Sequence, residues 1–253
     1  MDKSFKLIDP ILVTGKNSRF CFFLKKELKG KNIFYTTKKE FNINNISQMS
    51  RFIKKKKIKI IIHIAALSRP MNVHEKQVNK SIDANIIGTA NISKLAFKHR
   101  IKVIYFSTNY IYPCKNGGYM ESDPILPVNN YAWSQLGGEA SVHMLKKFLI
   151  LRLCMTEYPF IHKYAINGAK NNFLFNKYVA KIIPYILNEN GVLNIGGKKR
   201  DIYEFAKMFN KNRKIKSIDI SKIKNFPKDS SININKIKNI LASKKINYKN
   251  FIK

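Results

Sequence analysis

Short apolar runs alternate along this chain with longer stretches in which apolar residues recur every three or four positions. Ile11-Leu12-Val13-Thr14-Gly15 is a run of the first kind. It reads as a buried strand delivering the chain to a tight turn. Lys16 to Arg19 makes the turn, and Phe20 to Leu28 has helical spacing with Gly30 as a stop. Asn32 to Thr37 is a second strand, Ile46 to Ile53 a helix, and Ile58 to Ile64 the most apolar strand, followed by Ala65 and Ala66. Asp83 to His99 is a helix, Ile101 to Phe106 a strand, Pro113 to Pro127 a loop, and Phe148 to Leu153 a further strand. A helix begins near Tyr131. The alternation predicts an α/β fold with a doubly wound parallel sheet.

The remainder is less regular. Tyr178 to Leu187 is helical and contains Pro184, Val192 to Ile195 is a short strand, and Asp201 to Phe209 is a helix. From Asn212 onward there is little pattern, and this tail reads either as short helices closing a lobe or as a basic arm. The expected organisation is a dinucleotide-binding domain over residues 1–155. A small, reduced C-terminal substrate lobe over 156–253 is expected to interleave with it.

Strand, glycine turn and helix form the first unit of a Rossmann-type fold. Gly15 stands at the first glycine of the fingerprint, while Ser18 and Cys21 occupy the second and third positions. After the second strand come Lys38 and Lys39, with no acidic residue at the strand end to bond a ribose diol. Basic residues there suit the extra phosphate of NADP; a solvated charge pair is the alternative. Small residues at Ala65 and Ala66 leave room for a cofactor. Ser107 and Thr108 place hydroxyls at the carboxyl edge of the sheet, where open α/β sheets bind ligands.

Composition changes this picture little. Hydrophobic residues make up 45% of the 253, which suits a globular chain. The net charge of +33, from Lys+Arg 48 against Asp+Glu 15, fits polyanionic partners or a lysine-rich compositional bias. The basic residues are spread along the chain and are not interleaved with an aromatic recognition motif, which argues against nucleic acid. Lys54 to Lys57 reads as the exposed end of a helix. The 3 cysteines, Cys21, Cys114 and Cys154, match no metal knuckle, so no metal is expected and a reduced cytoplasmic setting fits. Met1 to Lys6 lacks the apolar core of a signal peptide, and no apolar run approaches a membrane span.

The stretch Tyr131-Ala132-Trp133-Ser134-Gln135-Leu136-Gly137-Gly138-Glu139 carries the candidate chemistry. Tyr131 and Gln135 are i and i+4 and share a helix face. Further pieces stand in order along the chain: Thr37 to Ile43, His63 to Ala66, Asn85 to Asn91, Phe106 to Tyr112 and Ile150-Leu151-Arg152. With Ile11 to Gly15, this series resembles the extended short-chain dehydrogenase/reductases, and within them the dTDP-4-dehydrorhamnose reductase branch. The resemblance implies an NADP- or NAD-dependent oxidoreductase acting on a nucleotide-linked keto-sugar, as in dTDP-rhamnose biosynthesis, and allows a homodimer. By position it places Gly15, Ser18 and Arg19 near the pyrophosphate and Lys38 near the adenosine ribose. It puts Asn42 and Ile43 near the adenine, with Ala65, Ala66 and Asn85 along the cofactor. Thr108 would bond the reacting oxygen and Tyr131 would protonate it. Where the family has lysine this chain has Gln135, which can bond a ribose but carries no charge. The alternative reading is therefore a non-catalytic dinucleotide-binding regulatory or scaffold protein of the same fold.

Overall fold

The computed structural model of the chain describes residues 10–210, 214–223 and 226–252. The N-terminal stretch Met1 to Lys6 lies outside the described residues, as do parts of the tail beyond Asn210. The strands are β1 (Ile11–Thr14), β2 (Ile33–Thr36), β3 (Ile60–His63), β4 (Lys102–Thr108), β5 (Phe148–Leu153) and β6 (Gly191–Ile195). They form one sheet in the order β6-β5-β4-β3-β1-β2. β1 pairs in parallel with both β2 and β3, and β3 in parallel with β4. The strand order therefore reverses between β1 and β3. In a doubly wound sheet that is where a crevice opens at the carboxyl ends of the strands.

The chain divides into two compact units. The first takes residues from 10–107, 129–151 and 180–192, the second from 108–128, 152–179 and 193–252. In the first unit, helices cover both faces of the sheet. On one face Leu12, Ile61, Val103 and Ile150 pack with Met49 and Ile53 of α2 (Ile46–Lys56), Ile92 and Leu95 of α4 (Gly88–His99) and Val142 of α5 (Asn130–His143). On the other, Phe20 of α1 (Arg19–Glu27) meets Phe106 edge-on, ring centroids 5.0 Å apart. A one-turn helix, α3 (Val73–Lys76), lies in the connection after β3.

Three boundaries differ from the apolar pattern for physical reasons. α2 runs on through Lys54, Lys55 and Lys56 and stops at Lys57 in the left-handed region, so the lysine run is the cationic last turn of a helix. Gly30 is not the stop of α1; Leu28 ends it in an extended conformation. The expected helix from Asp83 begins as a π turn, Ile82–Ile87, before continuing as α4. Such wide turns concentrate at functional sites.

The second unit is built from two-stranded pieces. Tyr164–Asn167 pairs in parallel with Lys216–Asp219, and Lys170–Asn171 antiparallel with Arg200–Asp201. Its core is aromatic: Phe175, Phe205 and Phe209 meet at ring centroids between 4.8 and 5.5 Å. Arg152 donates to the Tyr112 hydroxyl at 2.7 Å and to the Glu121 carbonyl at 3.0 Å. The tail contains the strand Lys216–Asp219 and the helix Asn235–Ser243, so its described part folds as a strand and short helical pieces and not as an arm.

Candidate active site

The switch point is built by two backbone segments that touch. Gly15 follows β1 with φ +77, and a Cβ placed on it would stand 3.1 Å from the Ala65 nitrogen. Only glycine combines that conformation with so close an approach. Thr14 fastens the two segments: its Oγ1 accepts from the Ile64 and Ala65 amides at 3.1 and 3.0 Å. Ser18 caps α1, its hydroxyl accepting from the Cys21 amide at 3.2 Å. Serine at the second-glycine position is thus folded back onto the helix. Cys21, at the third, is fully buried, and burial raises its thiol to about 11. Left-handed glycine, the small residues that follow β3 and the N-terminal end of α1 fit a dinucleotide pyrophosphate.

The remaining sequence-derived residues fall in two groups. Arg19 begins α1 and is exposed, and Lys38 is exposed in the turn after β2. The acid nearest that strand end, Glu40, is occupied locally, because the Thr37 amide and hydroxyl both donate to it. The Asn42 amide donates to Gln48 Oε1, and the Asn44 amide donates to Asn42 Oδ1. Ile43 packs so closely on Gly88 that a Cβ there would come within 2.5 Å. Ala65 is half-buried and Ala66 exposed.

Tyr131 is the second residue of α5 and is held by the connection after β3. Its ring centroid lies 5.0 Å from that of His74 on α3. His74 is buried, with Nδ1 at 2.7 Å from the Ser81 hydroxyl. Next to Tyr131, Asn130 donates to Glu75 at 2.6 Å. Asn85, in the π turn, joins the same connection to α5. Its Oδ1 accepts from the Leu67 amide at 2.7 Å, and its Nδ2 donates to the Leu67 carbonyl at 2.9 Å and to the Ser134 hydroxyl at 2.8 Å. Asn85, expected along the cofactor, thus spends its side chain on fixing the connection.

Gln135 is turned inward, with 1% of its surface exposed, and Tyr105 donates to its Oε1 at 2.8 Å. Thr108 belongs to the second unit. It is buried at the end of β4, where its Oγ1 accepts from the Tyr110 amide at 3.3 Å. The sequence reading missed Tyr105, His63 and Thr89. His63 and Thr89 stand in stretches that carry the resemblance, and Tyr105 is marked only by polarity inside an otherwise apolar strand. No group of metal-binding side chains occurs among the described residues, nor a helix long and apolar enough to cross a membrane. A cavity of about 1050 Å³ in the second unit is lined by Lys198, Lys199 and Lys238 but by none of these residues.

His63 carries a testable consequence. Its ring is fully buried, and burial lowers its pKa from 6.5 to about 4. Between those values the unfolded chain binds a proton that the folded chain does not. Stability is therefore complete above about pH 6.5 and falls as pH drops toward 4. From pH 6.5 to 5 the loss expected from this group is about 2 kcal/mol. Urea unfolding at the two pH values measures it, and His63→Gln should flatten the slope.

The sheet order and its flanking helices define a Rossmann-type α/β protein. The family described as the RmlD substrate binding domain matches residues 9–157, and the chain belongs to that family. A dTDP-D-glucose 4,6-dehydratase of Dictyostelium discoideum is 25% identical over 244 residues, covering 81% of this chain and 52% of that protein. Methionine adenosyltransferase 2 subunit beta of Pongo abelii is 34% identical over 83 residues, 33% of this chain and 25% of that one. The chain thus spans about half the length of the first relative and a quarter of the second. The crystal structure of dTDP-4-dehydrorhamnose reductase from Bacillus anthracis, in complex with NADP, superposes with a TM-score of 0.79 at 20% identity. That superposition covers 93% of this chain and 91% of that one. At that identity the likeness shows the fold.

Proposed function

We propose that the protein is an NADP-dependent reductase of a nucleotide-linked keto-sugar of the dTDP-4-dehydrorhamnose type. The observation that carries this reading is the pairing of two features in the first unit. Gly15 meets Ala65 at the switch point, and Tyr131 stands on α5, tied by Asn85 and His74 to the connection that leaves β3. Gly15, Ser18 and Arg19 would hold the pyrophosphate, Lys38 the ribose phosphate, and Ala65 and Ala66 the face of the nicotinamide half. The cofactor, when bound, supplies hydride to the carbonyl carbon. Tyr131 supplies the proton to the carbonyl oxygen, which a neutral phenol does without a neighbouring cation. Thr108, in the second unit, accepts a backbone amide at Oγ1 and so keeps its own O–H to donate. Buried free thiols at all three cysteines suit a reducing, cytoplasmic setting.

Titration with NADPH and with NADH tests the reading. NADPH is expected to bind at least about ten-fold more tightly, a gap of about 1.4 kcal/mol, and Lys38→Ala to narrow the gap. Absence of binding by either nucleotide would sink it. The inward Gln135 and the likeness to a methionine adenosyltransferase subunit favour a second reading, a dinucleotide-binding scaffold. It predicts NADPH binding with no turnover of any nucleotide keto-sugar.

A further inference from the structure

The face that α5 turns toward the sheet is polar where a helix face would ordinarily be apolar. Ser134, Gln135 and Glu139 are all buried, and each meets a partner on another element. Asn85 donates to Ser134, Tyr105 to Gln135, and Ser107 to Glu139 at 2.5 Å. Apolar faces tolerate sliding by fractions of a turn, whereas hydrogen bonds are directional and fix register.

Gln135 ends a chain of such bonds whose direction can be assigned. Thr14 Oγ1 already accepts two backbone amides, so its proton goes to His63 Nδ1 at 2.9 Å. His63, neutral through burial, then carries its proton on Nε2 and donates to Thr89 Oγ1 at 3.1 Å. Thr89 bonds the oxygen of Tyr105, whose hydroxyl burial holds in the protonated form. Tyr105 can then only donate onward, to Gln135 Oε1 at 2.8 Å and its backbone carbonyl at 3.1 Å. Gly138 lets the helix settle onto this tip: a Cβ there would stand 2.6 Å from the Tyr105 hydroxyl and 2.5 Å from the Asn85 carbonyl oxygen.

We propose that Gln135 is a positioning residue: with Tyr105 it sets the register of α5 on the sheet, and so the place of Tyr131, and does not itself hold the dinucleotide. The proposal rests on the reductase reading. It explains why an uncharged residue suits this position. A lysine here would bring its ammonium into a closed chain whose last hydroxyl already donates inward.

The test uses the full chain with Gln135→Met, Tyr105→Phe and the double substitution. NADPH Kd, kcat and KM with dTDP-4-dehydrorhamnose, and the urea midpoint are measured for each. NADPH Kd is expected to stay within about two-fold throughout. Either single substitution should lower kcat about ten- to hundred-fold, the scale set by small misplacements of a reacting group. The double substitution should lower kcat and midpoint no further than the worse single one, because both break the same bond. A ten-fold rise in NADPH Kd for Gln135→Met with kcat unchanged would make residue 135 a ligand and overturn the proposal. Losses that multiply in the double substitution would overturn it as well. A wild type that binds no NADPH would instead overturn the reductase reading, and the role of Tyr131 with it.

Discussion

Tyr131→Phe is expected to lower kcat by about 10²–10⁴ while leaving NADPH affinity within about three-fold, the usual contribution of a general acid. The phenyl ring keeps the contact with His74, whose ring centroid lies 5.0 Å away, so the helix start should stay in place. What is lost is one O–H. In the proposed reaction the proton is delivered only as hydride arrives, so the loss belongs in kcat and not in substrate or cofactor binding. Steady-state kinetics with NADPH and dTDP-4-dehydrorhamnose, alongside NADPH titration of the variant, separate the two. Unchanged kcat would place the proton donor elsewhere. An unchanged Kd with abolished kcat would fix Tyr131 as the acid.

Asn85→Leu is expected to cost about 2–4 kcal/mol of folding stability, and to disturb the site although Asn85 need touch no ligand. Leucine is close in size but can replace none of the three hydrogen bonds to Leu67 and Ser134. Removing one partner of a buried bond leaves the other unsatisfied, at about 1–3 kcal/mol each, and partial access of water at Leu67 moderates the sum. Asn85→Asp keeps an acceptor for the Leu67 amide but loses both donated bonds, so an intermediate loss is expected. Urea unfolding of the three proteins gives the order. A loss below about 0.5 kcal/mol for Asn85→Leu, the size usual for surface changes, would mean that the connection after β3 is held by something else.

The two results bear on one question, which is how the proposed site would work with Gln135 where the reductase pattern it resembles has lysine. If both hold, the proton comes from Tyr131, and the polar inner face of α5 supplies its placement.

The sequence by itself determined the fold class. β1, β3 and β4 are apolar runs buried along almost their whole length, and burial on both faces writes such runs plainly. It also determined the turn at Gly15, because glycine before a helix has few other uses. Strand β5 was legible from Phe148 to Leu153 for the same reason. Within the site, the sequence marked Tyr131, Thr108 and Gln135 for the chemistry and Asn85 for the cofactor, but not what each one touches. Spacing places residues on a helix face; it does not say whether that face meets a ligand or the protein's own core. Only the tertiary structure decided that Gln135 points at Tyr105, and that Asn85 closes on Leu67 and Ser134. These bonds join residues 18 to 49 positions apart and exist only once the helices have packed on the sheet. The same is true of Tyr105 and His63, which local pattern reads as ordinary strand residues. Their polar atoms gained a role when burial took water away and left other side chains as the available partners.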